Sequence, residues 1–466
     1  MKKIFKQLLV VLCGALALSA CHQKEITNIS PALIQTANAI TSDTLKGTIK
    51  GTLLSGKTYY FSSDITVNDG DTLLLQSGVH LIALCDGKTP ATAPEIFMHG
   101  TFISLGTKDQ PNYITVKNAD DLHAQAAQQN YVNVFFGWWG GITCTPSAVT
   151  PTNPNPKGGD AIIKWTHIEF GGGPAGSADN QAFYATGNAR YNIYFANITK
   201  NLIIEDSWFF GAKDDNIRTD GGKISIMRNT FELCGGVGGE FLNMKSGTVG
   251  DVAYNMCIGS ATNSLKLSDA GSTGVQANVN MYNNTMVNGG YRQTKTGRGG
   301  AIDYEKLAKG KAFNNLFVNC RFSMRVTSDA DIANVSYNNN LFYGYSTAIV
   351  GQFYTTDSYL GIPKGSSDII STTVQTNNPL FYGYDVNQYN FTSNPGPISA
   401  SLQPFVVVAM GAANFRLTAA SPAIGKGNTS LLPLNTVTAT GTYGATITPP
   451  GRDLGAYQSD GTGNQH

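Results

Sequence analysis

Charge is the scarcest ingredient of this 466-residue chain: 14% of its residues are Asp, Glu, Lys or Arg, and the two signs nearly cancel, to a net charge of +1. A nucleic-acid-binding surface needs a basic excess to release counterions from phosphates, so this balance excludes that class. Cysteine is sparse, seven residues with no Cys-x-x-Cys spacing suited to a structural metal. The six histidines are scattered; His80 in "SGVHLIA" and His167 in "KWTHIEF" stand singly in strand patterns, where a packing role is expected. There is no His-Glu-x-x-His, phosphate loop, nucleophile elbow or triad-like grouping. Beyond the first twenty residues no apolar run is long enough to cross a bilayer. Glycine, at 52 residues, is abundant, which suits stacked strands joined by tight turns.

The chain opens with Lys2, Lys3 and Lys6, then the apolar run "LLVVLCGALALSA" ahead of Cys21, the pattern of a secretory signal. The tetrad "LSAC" resembles the lipobox of bacterial lipoproteins, which implies cleavage before Cys21 and lipidation of that cysteine. The following "QKE" faintly resembles the surface-export signal of Bacteroidetes lipoproteins. The expected organisation is a signal peptide over 1–20, a lipidated cysteine and polar tether over 21–45, and one solenoid over 46–460. Such a protein would sit in the cell envelope as a monomer, touching the membrane only through its lipid, on either the periplasmic or the surface face. Cys85, Cys144, Cys234, Cys257 and Cys320 remain; an odd number cannot all pair, and most are expected to be small buried hydrophobes.

Six short segments share an apolar frame around an Asn or Asp: "LIIEDSWFF", "ISIMRNTFELC", "VAYNMCI", "NMYNNTMV", "KAFNNLFVNC" and "VSYNNNLFYG". Taking Asp206, Asn229, Asn255, Asn284, Asn315 and Asn340 as equivalent gives spacings of 23, 26, 29, 31 and 25, which are coil lengths. Alternation and β-branched or aromatic enrichment predict a strand in each. A lone strand of this kind cannot bury its apolar face, but stacked coils about 4.8 Å apart share a continuous core. An Asn at a constant position can take the left-handed turn conformation and bond its neighbours along the stack. The pattern resembles the asparagine ladder of right-handed parallel β-helices, an all-β, single-domain fold of the pectin lyase-like type. "DGDTLLLQSGVHLIAL" and "GTFISLGTKDQPNYITV" resemble first coils of envelope β-helix proteins, and "NNPLF", "NFRLTAASPAIGKG" and "DLGAYQ" resemble closing coils. "ADDLHAQAAQQN" predicts a short helix, and the Pro-rich run from Thr145 to Gly159 predicts an irregular insert.

Strand alternation then assigns faces. Ile217, Leu242, Met244, Leu265, Leu267, Ile302, Met324 and Val326 are expected inward, which turns Arg218, Asn243, Lys245, Lys266, Asp303, Glu305 and Arg325 outward. Stacked in register, Arg218, Lys245, Lys266 and Arg325 would form a basic stripe interrupted by Asp303. The glycine-hinged loop "GGYRQTKTGRGG" would flank it with Tyr291 and Arg292. Such a track suits an acidic polysaccharide, with cations pairing to carboxylates or sulfates and Tyr stacking on sugar rings.

The run "GGEFLNMKSGTVGDVAYNMCIG", followed by "NSLKLSDAG", resembles the alginate and chondroitin lyases built on parallel β-helices. That resemblance assigns Glu240 as a calcium ligand, Lys245 and Ser246 as the family's Lys-Ser pair, and Asn255 as a ladder residue. The family's arginine is replaced by Lys266, and its second acidic ligand by Gly238. Asp214 or Asp215 could complete the Ca2+ site. Lys245 would be the base, its pKa lowered by Lys266 and calcium, and Lys266 would stabilise the substrate carboxylate or protonate the leaving oxygen. Alternation alone turns Glu240 inward, so its role requires a bend among Gly235 to Gly239. Two other readings stand beside the lyase: a non-catalytic glycan-binding or structural, adhesive solenoid, and a hydrolase, since "GAKDDNIR" loosely resembles the paired aspartates of polygalacturonase-like β-helices.

Overall fold

The computed structural model describes residues 38–176, 185–236, 238–354, 365–387 and 414–466. The expected signal peptide, Cys21 and the first part of the tether lie outside these residues. The described residues belong to one compact unit, Asn38–His466.

Apolar alternation produces three parallel sheets. The first has eleven strands, from Ala39–Ile40 to Val335–Asn338; the second has ten, from Thr58–Phe61 to Leu341–Tyr343; the third has ten, from Gly47–Thr48 to Met324–Val326. The chain visits the sheets in rotation, and each strand pairs in parallel with the strand of its sheet one coil later. This is a right-handed parallel β-helix. Inward rows stack along the axis: Ile204, Ile226, Val252, Met281, Ala312 and Tyr337 are consecutive register partners and all buried. Each coil thus covers the apolar face that its neighbour could not bury alone.

Each of the six segments holds two strands separated by a sharp corner. In "LIIEDSWFF", Asn201–Glu205 lies in the first sheet and Trp208–Phe210 in the second. The left-handed residue at each corner comes one position before the ladder residue. Asp206, Arg228, Tyr254, Asn283, Asn314 and Asn339 have φ of 50°, 60°, 58°, 52°, 59° and 55°. Asp206 therefore belongs to the turn, and Ser207 is the ladder member: its N–H donates to Asn229 Oδ1 at 3.0 Å. From there the ladder runs through Asn255, Asn284, Asn315 and Asn340 to Asp368. Each Asn carbonyl accepts from the rung before it, while its amide donates to a strand-end carbonyl, as Asn255 Nδ2 does to Ile226 O at 3.0 Å. The corners are buried, so these bonds satisfy backbone groups that water cannot reach.

The C-terminal segment departs from the expected closing coils. Instead of adding rungs, residues from Asn428 run back along the helix as a strap. Asn428 N–H donates to Asn314 Oδ1, Leu434 N–H to Asp251 Oδ1 and Thr438 N–H to Asn201 Oδ1, and Lys164 Nζ donates to Gly444 O. The strap then reverses, with Gly451 N–H on Asn283 Oδ1 and Gly455 N–H on Asn314 O, and His466 stacks on Trp208 at 3.9 Å. Its prolines, glycines and unalternated polar residues cannot form ladder strands, but its backbone finds polar partners on the coils it crosses.

The short helix is present at Ala119–Ala127, after Asn118. It corrects the reading of isolated histidines. His123 on this helix and His167 on the second sheet both meet Glu169, at 3.2 and 3.5 Å, and all three are buried. His167 and Glu169 share the strand Thr166–Glu169, and His123 lies just after Asn112–Val116, the strand that pairs with it from the preceding coil, so only the stack brings His123 to them. The five cysteines among the described residues are free, and four of them are buried.

Candidate functional site

The third sheet presents the chemistry. Strands Ile217–Thr219, Leu242–Met244, Asn263–Asp269, Gly300–Lys306 and Met324–Val326 stack in register. Every expected inward residue is in the core. The facing outward row reads Tyr194, Arg218, Asn243, Lys266, Asp303, Arg325. Lys245 is not in that row: it lies two residues beyond Asn243, after its strand ends, beside the second row that holds Ser268 and Glu305.

The basic stripe is corrected more deeply by pairing. Lys266 is only 5% exposed, with Glu305 at 3.1 Å and Glu240 at 3.8 Å. Arg325 Nη1 bridges Asp303 at 2.7 Å and Glu305 at 2.6 Å. Arg218 meets Asp220 at 3.4 Å and donates to the Tyr191 hydroxyl at 3.0 Å. The face is a set of interleaved ion pairs rather than a cationic track. Burial and Glu305 together push Asp303 up to about 7, whereas Lys266 and Arg325 draw Glu305 down to about 2 against the opposing effect of its burial.

Lys245 differs from the other cations. It forms no ion pair among the described residues, although it is largely enclosed. Burial first, then the charges of Lys266 and Arg218, bring its ammonium down to about 8. A neutral amine is therefore accessible near neutral pH.

On the other side stand Asp214, Asp215 and Glu240, whose carboxylate oxygens lie within 4.8 Å of one another. Glu240 reaches them through the required bend. Gly235 and Gly239 have φ of 74° and 131°, and a Cβ on Gly239 would fall 2.8 Å from Asp214 O. Phe241 and Leu242 are both buried in the core, so the strand alternation slips by one residue between them, and Glu240 turns outward. Asp215 fixes this arrangement, its Oδ1 accepting from Glu240 N–H at 2.8 Å and its Oδ2 from Asn243 Nδ2 at 2.7 Å. Burial and mutual repulsion push Asp214 up to about 7 and Glu240 well above the carboxylate range.

The trio fits a hard dication. Oxygens sharing one calcium at 2.3–2.6 Å sit up to about 5 Å apart, and carboxylates are its preferred donors. Two further buried oxygens, Asn243 Oδ1 and Asn263 Oδ1, have no hydrogen bond among the described residues. Their amides touch Asp215 and Glu240, so polar capacity is concentrated around the trio.

Tyr291 and Arg292 do not flank this face as substrate contacts. Tyr291 packs against the core, and Arg292 points its guanidinium at main-chain carbonyls. Tyr191, Tyr194 and Asn263 complete the face and escaped the sequence reading, whereas alternation around Ile217 already turns Asp220 outward beside Arg218. Tyr194 was within reach of it: Ile193 and Phe195 pointing inward in "YNIYF" turn Tyr194 outward one coil before Arg218.

No family model matches the chain, and no curated protein does. Among solved structures, the crystal structure of the Dettilon tailspike protein is similar over 66% of this chain and 51% of its own, at 12% identity and a TM-score of 0.24. The chain thus spans about half the length of that protein. At this score the likeness carries no argument, and the fold assignment rests on the strand pairing.

Proposed function

We propose that the third-sheet face binds an acidic polysaccharide and cleaves it by β-elimination at a uronate unit, with Lys245 as the base. One observation carries this reading: a largely enclosed lysine with no ion pair among the described residues feels the charges of Lys266, Arg218, Glu240 and Asp215, the last two belonging to a three-carboxylate cluster fit for calcium. Elimination removes a weakly acidic proton beside a carboxylate, so it needs a neutral base and a means of neutralising that carboxylate. Calcium, when held by Asp214, Asp215 and Glu240, would supply a Lewis acid for the uronate carboxylate. Lys245 Nζ takes the C5 proton, the freed electron pair forms the C4=C5 double bond, and the C4–O bond breaks. The departing oxygen takes a proton from solvent. Lys266, held as a cation by Glu240, Asp303 and Glu305 despite its burial, serves as fixed positive charge near the substrate carboxylate and is a poor proton donor.

Incubation with alginate, chondroitin sulfate and pectins should give the ultraviolet absorbance of an unsaturated uronate, lost on chelation and restored by calcium. Absence of product from every uronate polymer would leave a non-catalytic glycan-binding solenoid, a reading that the paired state of Arg218, Lys266 and Arg325 also accommodates. The "LSAC" motif supports anchoring of this activity to the cell envelope through Cys21. Radiolabelled palmitate should enter the full chain and be lost in Cys21→Ser; equal labelling of both would remove the anchor.

A further inference from the structure

We propose that Arg292 is a positioning residue: it clamps the glycine bend that turns Glu240 outward, and thereby sets the geometry of the carboxylate trio. The inference deepens the proposed function and rests on the trio being a cation site.

Arg292 Nη2 donates to Cys234 O at 2.6 Å, Gly235 O at 2.8 Å and Gly259 O at 3.0 Å, and its Nε donates to Gly235 O at 3.0 Å. Its guanidinium lies 5.0 Å from the Phe135 ring centre, and it has no carboxylate partner among the described residues. A partly buried cation without an acid is costly unless good acceptors meet its donors. Here Nε and Nη2 donate to the start of one bend and to the equivalent corner of the next coil. The planar fork of an arginine can span carbonyls on two coils, which the single ammonium of a lysine cannot.

Among its described residues the stretch is held by main-chain bonds, including Thr262 N–H to Gly239 O at 2.9 Å, and Arg292 adds a side-chain clamp. Gly235, Gly236, Gly238 and Gly239 have no side chains to pack, and glycine has the greatest conformational freedom to lose. At its far end Glu240 N–H is held by Asp215 Oδ1, and Glu240 O accepts from Asn216 N–H at 2.9 Å. At its near end Gly235 N–H donates to Ala212 O at 2.8 Å, and Arg292 supplies the side-chain clamp. The loop bearing Tyr291 and Arg292 thus acts on the site from behind, through the backbone.

The test compares wild type, Arg292→Met and Arg292→Lys by amide hydrogen exchange and by terbium binding. Exchange at Glu240 should quicken at least tenfold in Arg292→Met, while amides of Leu341–Tyr343, the last strand of the second sheet and out of reach of Arg292, keep their rate. Terbium affinity should fall at least tenfold, and millimolar guanidinium should restore it in Arg292→Met. Arg292→Lys should fold and show the same local defect, so it replaces the methionine variant if that one is insoluble. Unchanged exchange at Glu240 in a folded variant overturns the proposal. Failure of wild type to bind terbium, with exchange at Glu240 still quickened, overturns the cation site and leaves the clamp standing.

Discussion

Lys245→Met is expected to lower kcat/KM on a cleaved uronate polymer by about 10²- to 10⁴-fold, the usual contribution of a positioned general base. Methionine keeps the length and apolar stem of the side chain, so the sheet beneath should fold as before. The pH profile gives a second, independent reading. An ordinary lysine is protonated to pH 10.5, but burial, Lys266 and Arg218 bring Lys245 down to about 8. The neutral amine is the working form, so activity should rise about tenfold per pH unit below that value and level off above it. Lys266→Gln removes a neighbouring cation and releases Glu240, and both changes favour the charged form of Lys245. The rising limb should therefore move to higher pH. A kcat/KM in Lys245→Met that falls by less than about tenfold, well short of a general base's contribution, or a limb that stays in place in Lys266→Gln, would remove Lys245 as the base. The same shift has a consequence for stability: between pH 8 and 10.5 the unfolded chain holds a proton at Lys245 that the folded one has released, so this group makes stability rise with pH across that window.

Asn255→Ala is expected to cost roughly 3–5 kcal/mol, because it takes the partner from two buried backbone groups of the preceding coil, Asn229 N–H and Ile226 O, at about 1–3 kcal/mol each, and breaks the bond to Asn284 Oδ1 on the next coil. Asn255 Oδ1 accepts from Asn229 N–H at 3.0 Å, and Asn255 Nδ2 donates to Ile226 O at 3.0 Å and to Asn284 Oδ1 at 2.9 Å. All of these lie at a corner with no access to water. Asn255→Asp keeps the acceptor for Asn229 N–H but loses both amide bonds, so it should fall between wild type and alanine. Urea unfolding followed by circular dichroism measures both, and the midpoint should drop in that order. A loss under about 1 kcal/mol in Asn255→Ala would mean that the ladder contributes little. Because each coil contacts mainly its neighbours, a split or broadened transition in the variant would locate the weakened junction rather than contradict the expectation.

How much of the site the sequence disclosed follows from the range of the forces involved. Inward and outward faces on the third sheet were legible because the side-chain period of a strand is two, and Ile217, Leu265 or Met324 fixes its neighbours within a few residues. The bend at Glu240 was legible as a requirement, since alternation placed that carboxylate inward while the glycines allowed another course. Its form was not: the slip between Phe241 and Leu242 depends on Phe241 finding a place in the core against Phe231, which no local pattern reports. The stripe failed for a related reason. Register and row were nearly right, but ion pairing depends on side chains two residues apart on adjacent coils, such as Lys266 with Glu305, which no local pattern reports. Arg292 shows the same limit, since the carbonyls it meets lie 33 to 58 residues earlier in the chain.

By itself, the sequence determined the solenoid, its coil lengths, the existence of an asparagine ladder and the face on which Arg218, Lys245 and Lys266 emerge. All of these are set by local periodicity repeated along the chain. The tertiary structure alone decided that Ser207 rather than Asp206 is the ladder member, that the C-terminal segment is a strap, and that Lys266 and Arg325 are neutralised by carboxylates while Lys245 is left unpaired among the described residues. Those outcomes depend on which residues the stacking of coils brings within a few ångströms, and on how far each charge is withdrawn from water once it is there.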